Sequence, residues 1–508
     1  MSLDYALRVA TGGLANINRQ MALVSQNVAN ASTPDYAAEI GTQHSLTGEA
    51  MGLGVVTGAT KRAIDTALQA EVFRLGAAVS GLGTTATALA SIDAALGTPG
   101  AGDDLPSMLG DLKDQFSALL TSPENQTQQT RVVATAKQLT QGINTLSLAY
   151  ASQRQAAHED IIGAIDRLNQ DLDSIGKLSN QIVTFKAGGR STADLENQRD
   201  AALHRVSDLV DVKALVQTSG DMLVVTSAGL ALPTRRGADA ISLADANLQP
   251  GAYYPGGGVP AILIGGQDVT RQMGGGRIGA DLALRDRTLP LFQAELDEFA
   301  HTLANRFSAQ GLTLFTDPNG DIPANTGASP QLGYVGFAST IQVNPTVVAT
   351  PSLIRDGTDI VTDDPGAASA FTPNPSGGPS GFTTLIGRVL DFAFGAESRT
   401  GVGQPDPATS DLGPAGNLSA PYAPPATLAD LATALVSAQA QESGATTSSL
   451  ETEQVLRDSL ARRLSAGSGV DLDTEMARML SLQTAYSANA RVMTVIQALF
   501  NEIMNTVR

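Results

Sequence analysis

Histidines, carboxylates and glycine-rich turns are where a chain of 508 residues could first hold chemistry. His158-Glu159 opens like the His-Glu-x-x-His of a zinc hydrolase, in which two imidazoles one helical turn apart share a metal. The fifth position is Ile162, so the second ligand is missing. The glycines of "GLGVVTG" (Gly52, Gly54, Gly58) approach a dinucleotide loop, but the last spacing is one residue too long and no strand–turn–helix pattern surrounds them. "DPNGD", Asp317 to Asp321, starts like a calcium loop. Ile322 then stands where glycine must turn the chain, and Ala328 where a bidentate Glu is required. "GPSG" at Gly378 to Gly381 lacks the spacing of a nucleophile elbow. With 50 Asp and Glu, chance carboxylate pairs are everywhere, and no glycosidase dyad stands out. These near-matches read as turns and solvated surface, so the chain is expected not to be an enzyme and to carry no catalytic, cofactor-binding or metal-binding residue.

Composition narrows the classes further. A net charge of -18 argues against a polyanionic partner, so neither nucleic acid nor an acidic membrane surface is expected. The absence of Cys excludes disulfides, thiolate catalysis and Cys-ligated metals. The four histidines, His44, His158, His204 and His301, are far apart in sequence. No cationic, apolar leader opens the chain, and no run approaches the ~18 apolar residues of a spanning helix. Aromatic residues are 4%, with no Trp, so packing must rely on Ala, Leu and Ile.

What the chain does show is two helical seams, one at each end. Leu3, Leu7, Ala10, Leu14, Ile17, Met21, Val24 and Val28 recur at steps of three and four, the pattern of a helix lying along one partner helix. Pro34 ends it, because the residue before proline is pushed out of the helical region. Met479, Leu482, Tyr486, Asn489, Met493, Ile496, Phe500, Ile503 and Val507 repeat the rhythm, with Asp471 placed as N-cap. Asn489 is the polar seam position that sets register. Two seams of similar length imply that the first and last helices pair. Their outer faces are unusual for solvated helices, which normally carry charge. Residues 1–34 hold only Asp4, Arg8 and Arg19, and no charge lies between Met479 and Ala490. Uncharged polar faces suit contact with copies of the same chain. Gly12 and Gly13 each cost ~1 kcal/mol inside a helix, so the isolated terminal helices should be weak.

Between the ends, residues 62–98 and 105–150 read as helices broken by "GTPGAGDD" and "TSPENQ", and 157–185 as a further helix. The period then changes: 210–232 reads as short strands about a Ser-Gly-Asp turn. A helix returns at 289–308, residues 311–380 look rich in strands and turns, and 396–425 look like linker. Helix resumes at about 427 and, after a break at "SAGSG", runs to the end. The expected fold is mostly α with inserted β domains, elongated, with the N- and C-terminal helices paired as a coiled coil. The expected domains are 1–40 with 465–508 as the terminal coiled coil, 41–209 with 281–310 and 426–464 as a helical domain, and 210–280 with 311–425 as outer β-rich material.

Several stretches resemble one family. "ALVSQNVANASTPDYA" is similar to the N-terminal signature of flagellar axial proteins, a helix running into Asn-Asn-Ile-Ala-Asn-x-x-Thr-Pro-Gly-Tyr. "GVDLDTEMARMLSLQTAYSANARVMTVIQALFNEIM" resembles their C-terminal signature, and "MGLGVVTGATKRAIDTAL" their Gly-x-Gly-Val segment. Residues 119–144, 194–225 and 275–311 resemble the hook-associated branch, and hook and rod proteins lack the helical block at 62–210. One departure stands out: Asp35 occupies the usual Gly of Thr-Pro-Gly-Tyr.

The resemblance implies a structural adaptor at the hook–filament junction that self-assembles into a tube on the distal hook. It implies an extracellular place in the bacterial flagellum, reached through the flagellar type III apparatus without a cleaved signal peptide. Expected partners are other copies of the chain, the hook protein, the next hook-associated protein or flagellin side, and an export chaperone at the C-terminal helix. Within the signature turn (Asn27, Asn30, Thr33, Pro34, Tyr36), Gln26, Asn27 and Asn30 are expected to face neighbouring subunits, while Thr33 and Pro34 turn the chain outward. The alternatives are a hook or distal-rod protein of the same family and, from another class, a secreted hydrolase with a site in 312–425.

Overall fold

Side-chain caps start the long helices where the sequence offers them. Asp65 accepts from the backbone N–H of Ala67 and Leu68, Asp104 from Ser107, Asn125 from Gln128 and Thr427 from Asp430, each supplying acceptors for the orphan donors of a first turn. The computed structural model describes residues 3–48, 51–98, 100–235, 239–326 and 331–506, so Ala328 and Val507 lie outside the described residues. The principal helices are α1 (Leu3–Ala29), α2 (Thr66–Leu96), α3 (Leu105–Thr121), α4 (Gln126–Ala187), α5 (Ala193–Leu209), α6 (Gly276–Ala283) and α7 (Leu289–Ala309). Three short ones follow, α8 (Pro345–Ala349), α9 (Leu353–Asp356) and α10 (Thr384–Arg388), then α11 (Leu428–Ser468) and α12 (Leu472–Thr506).

The sequence separates helices at 105–150 and 157–185, but the structure runs them together. α4 continues unbroken for 62 residues, roughly 93 Å at 1.5 Å per residue. No proline lies within it to remove a hydrogen bond. It is the spine of the molecule, shared by two cores. Its first half (Val132, Ala136, Leu139, Ile143, Tyr150) packs with α3, α7 and the start of α11. Its second half (Ile161, Ile165, Leu168, Leu172, Ile175) packs with α5, α6 and the loops beside them. Gly176 lets the loop at Thr234 cross the spine, since a Cβ there would stand 1.8 Å from the Thr234 carbonyl oxygen.

Strands are short and pair only locally. They are β1 (Glu39–Ile40), β2 (Gln43–Gly48), β3 (Met51–Thr57), β4 (Lys61–Arg62), β5 (Val212–Val216) and β6 (Met222–Thr226), followed by two- and three-residue pieces. β5 and β6 form the hairpin expected at 210–232, with Val212 opposite Thr226 and Val216 opposite Met222. The 311–425 region departs from the expected β-rich outer domain. Its described strands are no longer than three residues. Leu312, Phe315, Phe337, Ile341, Ile386 and Phe394 are buried in the same core as α3, α4 and α7. The many Gly and Pro residues that suggested β-turns instead let an irregular chain wrap the helices.

α2 also differs from expectation. An 18-residue window reaches a mean hydropathy of 1.3, long and apolar enough to cross a membrane, although the sequence reading found no such run. In the fold α2 packs on α11, α6 and α5, which accounts for its apolar character. The break near the C-terminus lies at Gly469–Asp471, starting at the last residue of "SAGSG", because α11 runs on to Ser468.

Candidate assembly surface

α1 and α12 pack against each other and run antiparallel. Ile17 and Val24 meet Leu482, flanked by Met21, Val28, Met479 and Ala485, while nearer the chain ends Gly13 faces the Asn489 side chain. A Cβ on Gly13 would come within 3.4 Å of that amide, so the helix-weakening glycine lies where the two helices approach closely. The start of α1 and the end of α12 therefore lie at the same end of the pair.

Burial along the seams is uneven. Ala10, Ile17, Val24, Leu482 and Ile496 are buried, whereas Leu3, Leu7, Leu14, Met21, Val28, Met479 and Met493 are half-buried. Tyr486, Phe500 and Ile503 remain exposed, Ile503 by 49%. More apolar surface lies off the seam. Leu472, Met476 and Leu480 continue one exposed strip of α12, and Val492, Val495 and Leu499 another, with Leu480 63% exposed. The sequence reading assigned apolar residues only to the seam and missed these. Their steps of three and four were there to find, as a second periodic set on the same helix. Contiguous apolar surface of this kind marks an interaction site.

The other flank of α1 is covered, and this changes the meaning of its amides. The β2–β3 hairpin lies along α1. Asn16, read from sequence as outward, is buried: it donates to Gln43 Oε1 at 2.7 Å and accepts from the Thr57 hydroxyl at 3.3 Å. Gln20 also donates to Gln43, at 3.2 Å.

The signature turn needs the larger correction. Asn27 does not face a neighbouring subunit; it is 1% exposed. Its Nδ2 donates to the Glu39 carbonyl at 3.0 Å, while its Oδ1 accepts from the Glu39 N–H at 2.9 Å and the Tyr36 hydroxyl at 3.1 Å. One amide thus satisfies both backbone groups of a residue twelve positions on and ties the end of α1 to β1. Asn30 donates to the Gln26 carbonyl and accepts from the Thr33 hydroxyl, so it too works within the chain, and Pro34 is exposed at the bend. Burial and the neighbouring carboxylates Glu39, Asp194 and Glu475 push the Tyr36 hydroxyl well above its usual range, keeping it a neutral donor.

Asp35 sits at φ 61°, a left-handed conformation in which Asp is one of the few tolerated side chains. Its carboxylate lies 2.7 Å from His204 Nδ1 on α5. That bond raises the imidazole's affinity for a proton, against an opposing effect of burial. The His204 ring lies flat on Phe73 of α2, with centroids 4.9 Å apart.

α5 receives the rest of this junction as well. Asn197 donates to the Ala37 carbonyl and accepts from the Ala37 N–H. Arg62 of β4 bonds Asp200 at 2.6 Å and Glu196 at 3.0 Å. The Ala38 N–H reaches the Ser468 carbonyl at 2.8 Å, joining the two strands of chain that enter the terminal pair. Geometry of this kind positions helices. Among the described residues no group of three or more His, Cys, Asp or Glu side chains could hold a metal ion.

Two stretches of the chain match families of known proteins. The family model described as the flagellar hook-associated protein FlgK helical domain matches residues 89–322, and that of the flagellar basal body rod FlgEFG protein C-terminal region matches residues 464–506. Flagellar hook-associated protein 1 of Escherichia coli K12 is 22% identical over 552 residues, covering 98% of each chain. The protein of that name from Bacillus subtilis 168 is 22% identical over 555 residues, covering 99% of this chain and 98% of its own. A solved structure, the flagellar hook junction protein FlgK from Burkholderia pseudomallei, is 22% identical, with a TM-score of 0.40 over 51% of this chain and 46% of that one. The two family models, which together span more than half of the chain, and the end-to-end similarity to both relatives place it in the family of flagellar hook-associated protein 1, FlgK.

Proposed function

We infer that the chain is a structural subunit of the bacterial flagellum, an adaptor at the hook–filament junction, and that the α1–α12 pair is the surface through which it assembles. The observation that carries this reading is the pair of apolar strips on α12 (Leu472, Met476 and Leu480, then Val492, Val495 and Leu499), left open beside a seam that buries few residues. Each large side chain buried on assembly contributes roughly 1.5–3 kcal/mol, which offsets the entropy of ordering two weak helices only when many pack at once. Assembly is then cooperative, with the terminal helices completing a coiled-coil wall against neighbouring copies. Hook protein lies on one side of the ring and the flagellin side of the junction on the other. An export chaperone covering the same strips before assembly would keep them from premature association, and passage through the flagellar type III channel suits a chain with no Cys to cross-link. The helical-domain match over 89–322 favours this reading over a hook or rod protein.

The test is a pair of charge insertions, Leu480→Asp with Val495→Asp, in the full chain. Both positions are more than half exposed, so the body's unfolding midpoint should stay within about 0.5 kcal/mol of the parent. Incorporation at hook tips, followed by electron microscopy and by filament growth, should be lost. Normal junctions in the double variant would refute the assignment of the surface.

A further inference from the structure

The terminal pair joins the body through a joint with room to move. Backbone crosses it twice, after α1 through residues 30–65 and before α12 through 469–471. Around it lies a cavity of about 520 Å³ bounded by the signature turn, α2, α5 and the end of α11. Into this cavity the turn sends Asp35, held in a left-handed conformation. Its partner His204 stands on α5, stacked on Phe73 of α2.

We propose that the Asp35–His204 pair is a proton-operated latch that sets how firmly the terminal helices are held against the body. The proposal rests on the reading of those helices as the assembly surface, and it names a regulation of that surface. The latch closes when the imidazole carries its proton, because Asp35 then meets a cation, and a cation over the Phe73 face is attracted by the ring as well. The groups facing His204 are few. Asp35 comes from the turn, Asp208 from one turn further along α5, and Arg457 with its ion-pair partner Asp458 from α11, while α2 presents Phe73 and uncharged Gly76. Asp208 favours the protonated ring and Arg457 opposes it. The bond to Asp35 outweighs burial and holds the imidazole's proton affinity above its ordinary value. A folded-state value above the unfolded one means that the stabilisation is fully present below the unfolded pKa and is lost as pH rises through the folded one. The joint is therefore firm in mildly acidic medium and loosens as the medium turns alkaline. The remaining ties, Asn197 to Ala37 and Arg62 to Asp200, keep the pair attached when the latch opens.

The chain has no native Cys, so spin labels can be placed on Gln483→Cys in α12 and Gln170→Cys in α4, both exposed. Electron–electron distance distributions on the full chain, taken at about pH 5.5 and about pH 9 on either side of the histidine range, should be narrow at the first and broad and shifted at the second. In a His204→Gln background, which cannot gain the proton, the distribution should be broad at both. Asp35→Gly also removes the left-handed strain and guards against a histidine variant that fails to fold; it should abolish the pH dependence. An unchanged parent distribution across this range, or a pH response that survives Asp35→Gly, overturns the latch while leaving the assembly surface untouched. Failure of the assembly reading would show separately, as normal junctions in the Leu480→Asp, Val495→Asp chain.

Discussion

The body and the terminal pair use the same helical pattern and end in opposite conditions. In the body, Phe116, Phe299, Phe307, Leu139 and Ile143 have no exposed surface, and the core they share continues through α3, α4, α7 and the wrapping segment after Gly311. In the terminal pair, among the described residues, only Ile17, Val24 and Leu482 form a buried cluster, although α1 and α12 are 27 and 35 residues long. A helix gains little stability alone and depends on packing of its apolar face. The body's helices find that packing within the chain, while α12 keeps much of its apolar surface for something else. The signature turn lies between the two conditions. Asn27, Asn30 and Tyr36 there are bonded within the chain, so the pair is weakly packed yet tied to the body by specific hydrogen bonds.

The largest test of this contrast is in the body. Phe307 packs edge-on against Phe315 and Phe394, and Phe307→Ala should cost about 3–5 kcal/mol, lowering the main unfolding transition by calorimetry. Leu482→Ala should leave that transition in place and affect only protection of α1 and α12 from hydrogen exchange. An equal loss of the main transition in both variants would mean that the terminal pair and body unfold as one unit.

A smaller effect is expected at the anchor. Asn27→Ala strands the buried N–H and carbonyl of Glu39, at a cost of about 1–3 kcal/mol. Residues 30–40 should lose exchange protection while the β5–β6 hairpin keeps its own. Unchanged protection at 30–40 would show that the turn is held by the contacts on α5 instead.

The last test concerns pH. Glu295, buried beside Gln439, has its carboxyl pushed up to about 8 by burial. Its folded value is raised, so the native body is favoured below the unfolded carboxylate value and loses that advantage as pH rises toward about 8. Glu295→Gln should flatten the decline of the main transition's denaturant midpoint between about pH 5 and pH 8. A slope unchanged from the parent would assign the decline to other groups.

Much of this was legible in the residues. The three-and-four spacing locates both terminal helices and the face on which they meet. The Ser-Gly-Asp turn locates the β5–β6 hairpin, and Pro34 marks the end of α1. In 311–425, glycine and proline report where the chain turns and say little about what it turns onto. The second apolar strip of α12 lies off the seam, on a face that the partner-helix pattern does not describe.

The sequence by itself determined that the chain is mostly helical and that its first and last helices carry matching seams, since these follow from local spacing and side-chain chemistry. Only the tertiary structure decided which polar residues are bound within the chain. Asn27 and Asn16 look like surface amides until Glu39 and Gln43 are brought to them from later in the chain. Asp35 acquires a role only because α5 carries His204 to it across 169 positions. A hydrogen bond needs its partner within about 3 Å, and no local pattern records what a distant segment will deliver to that distance.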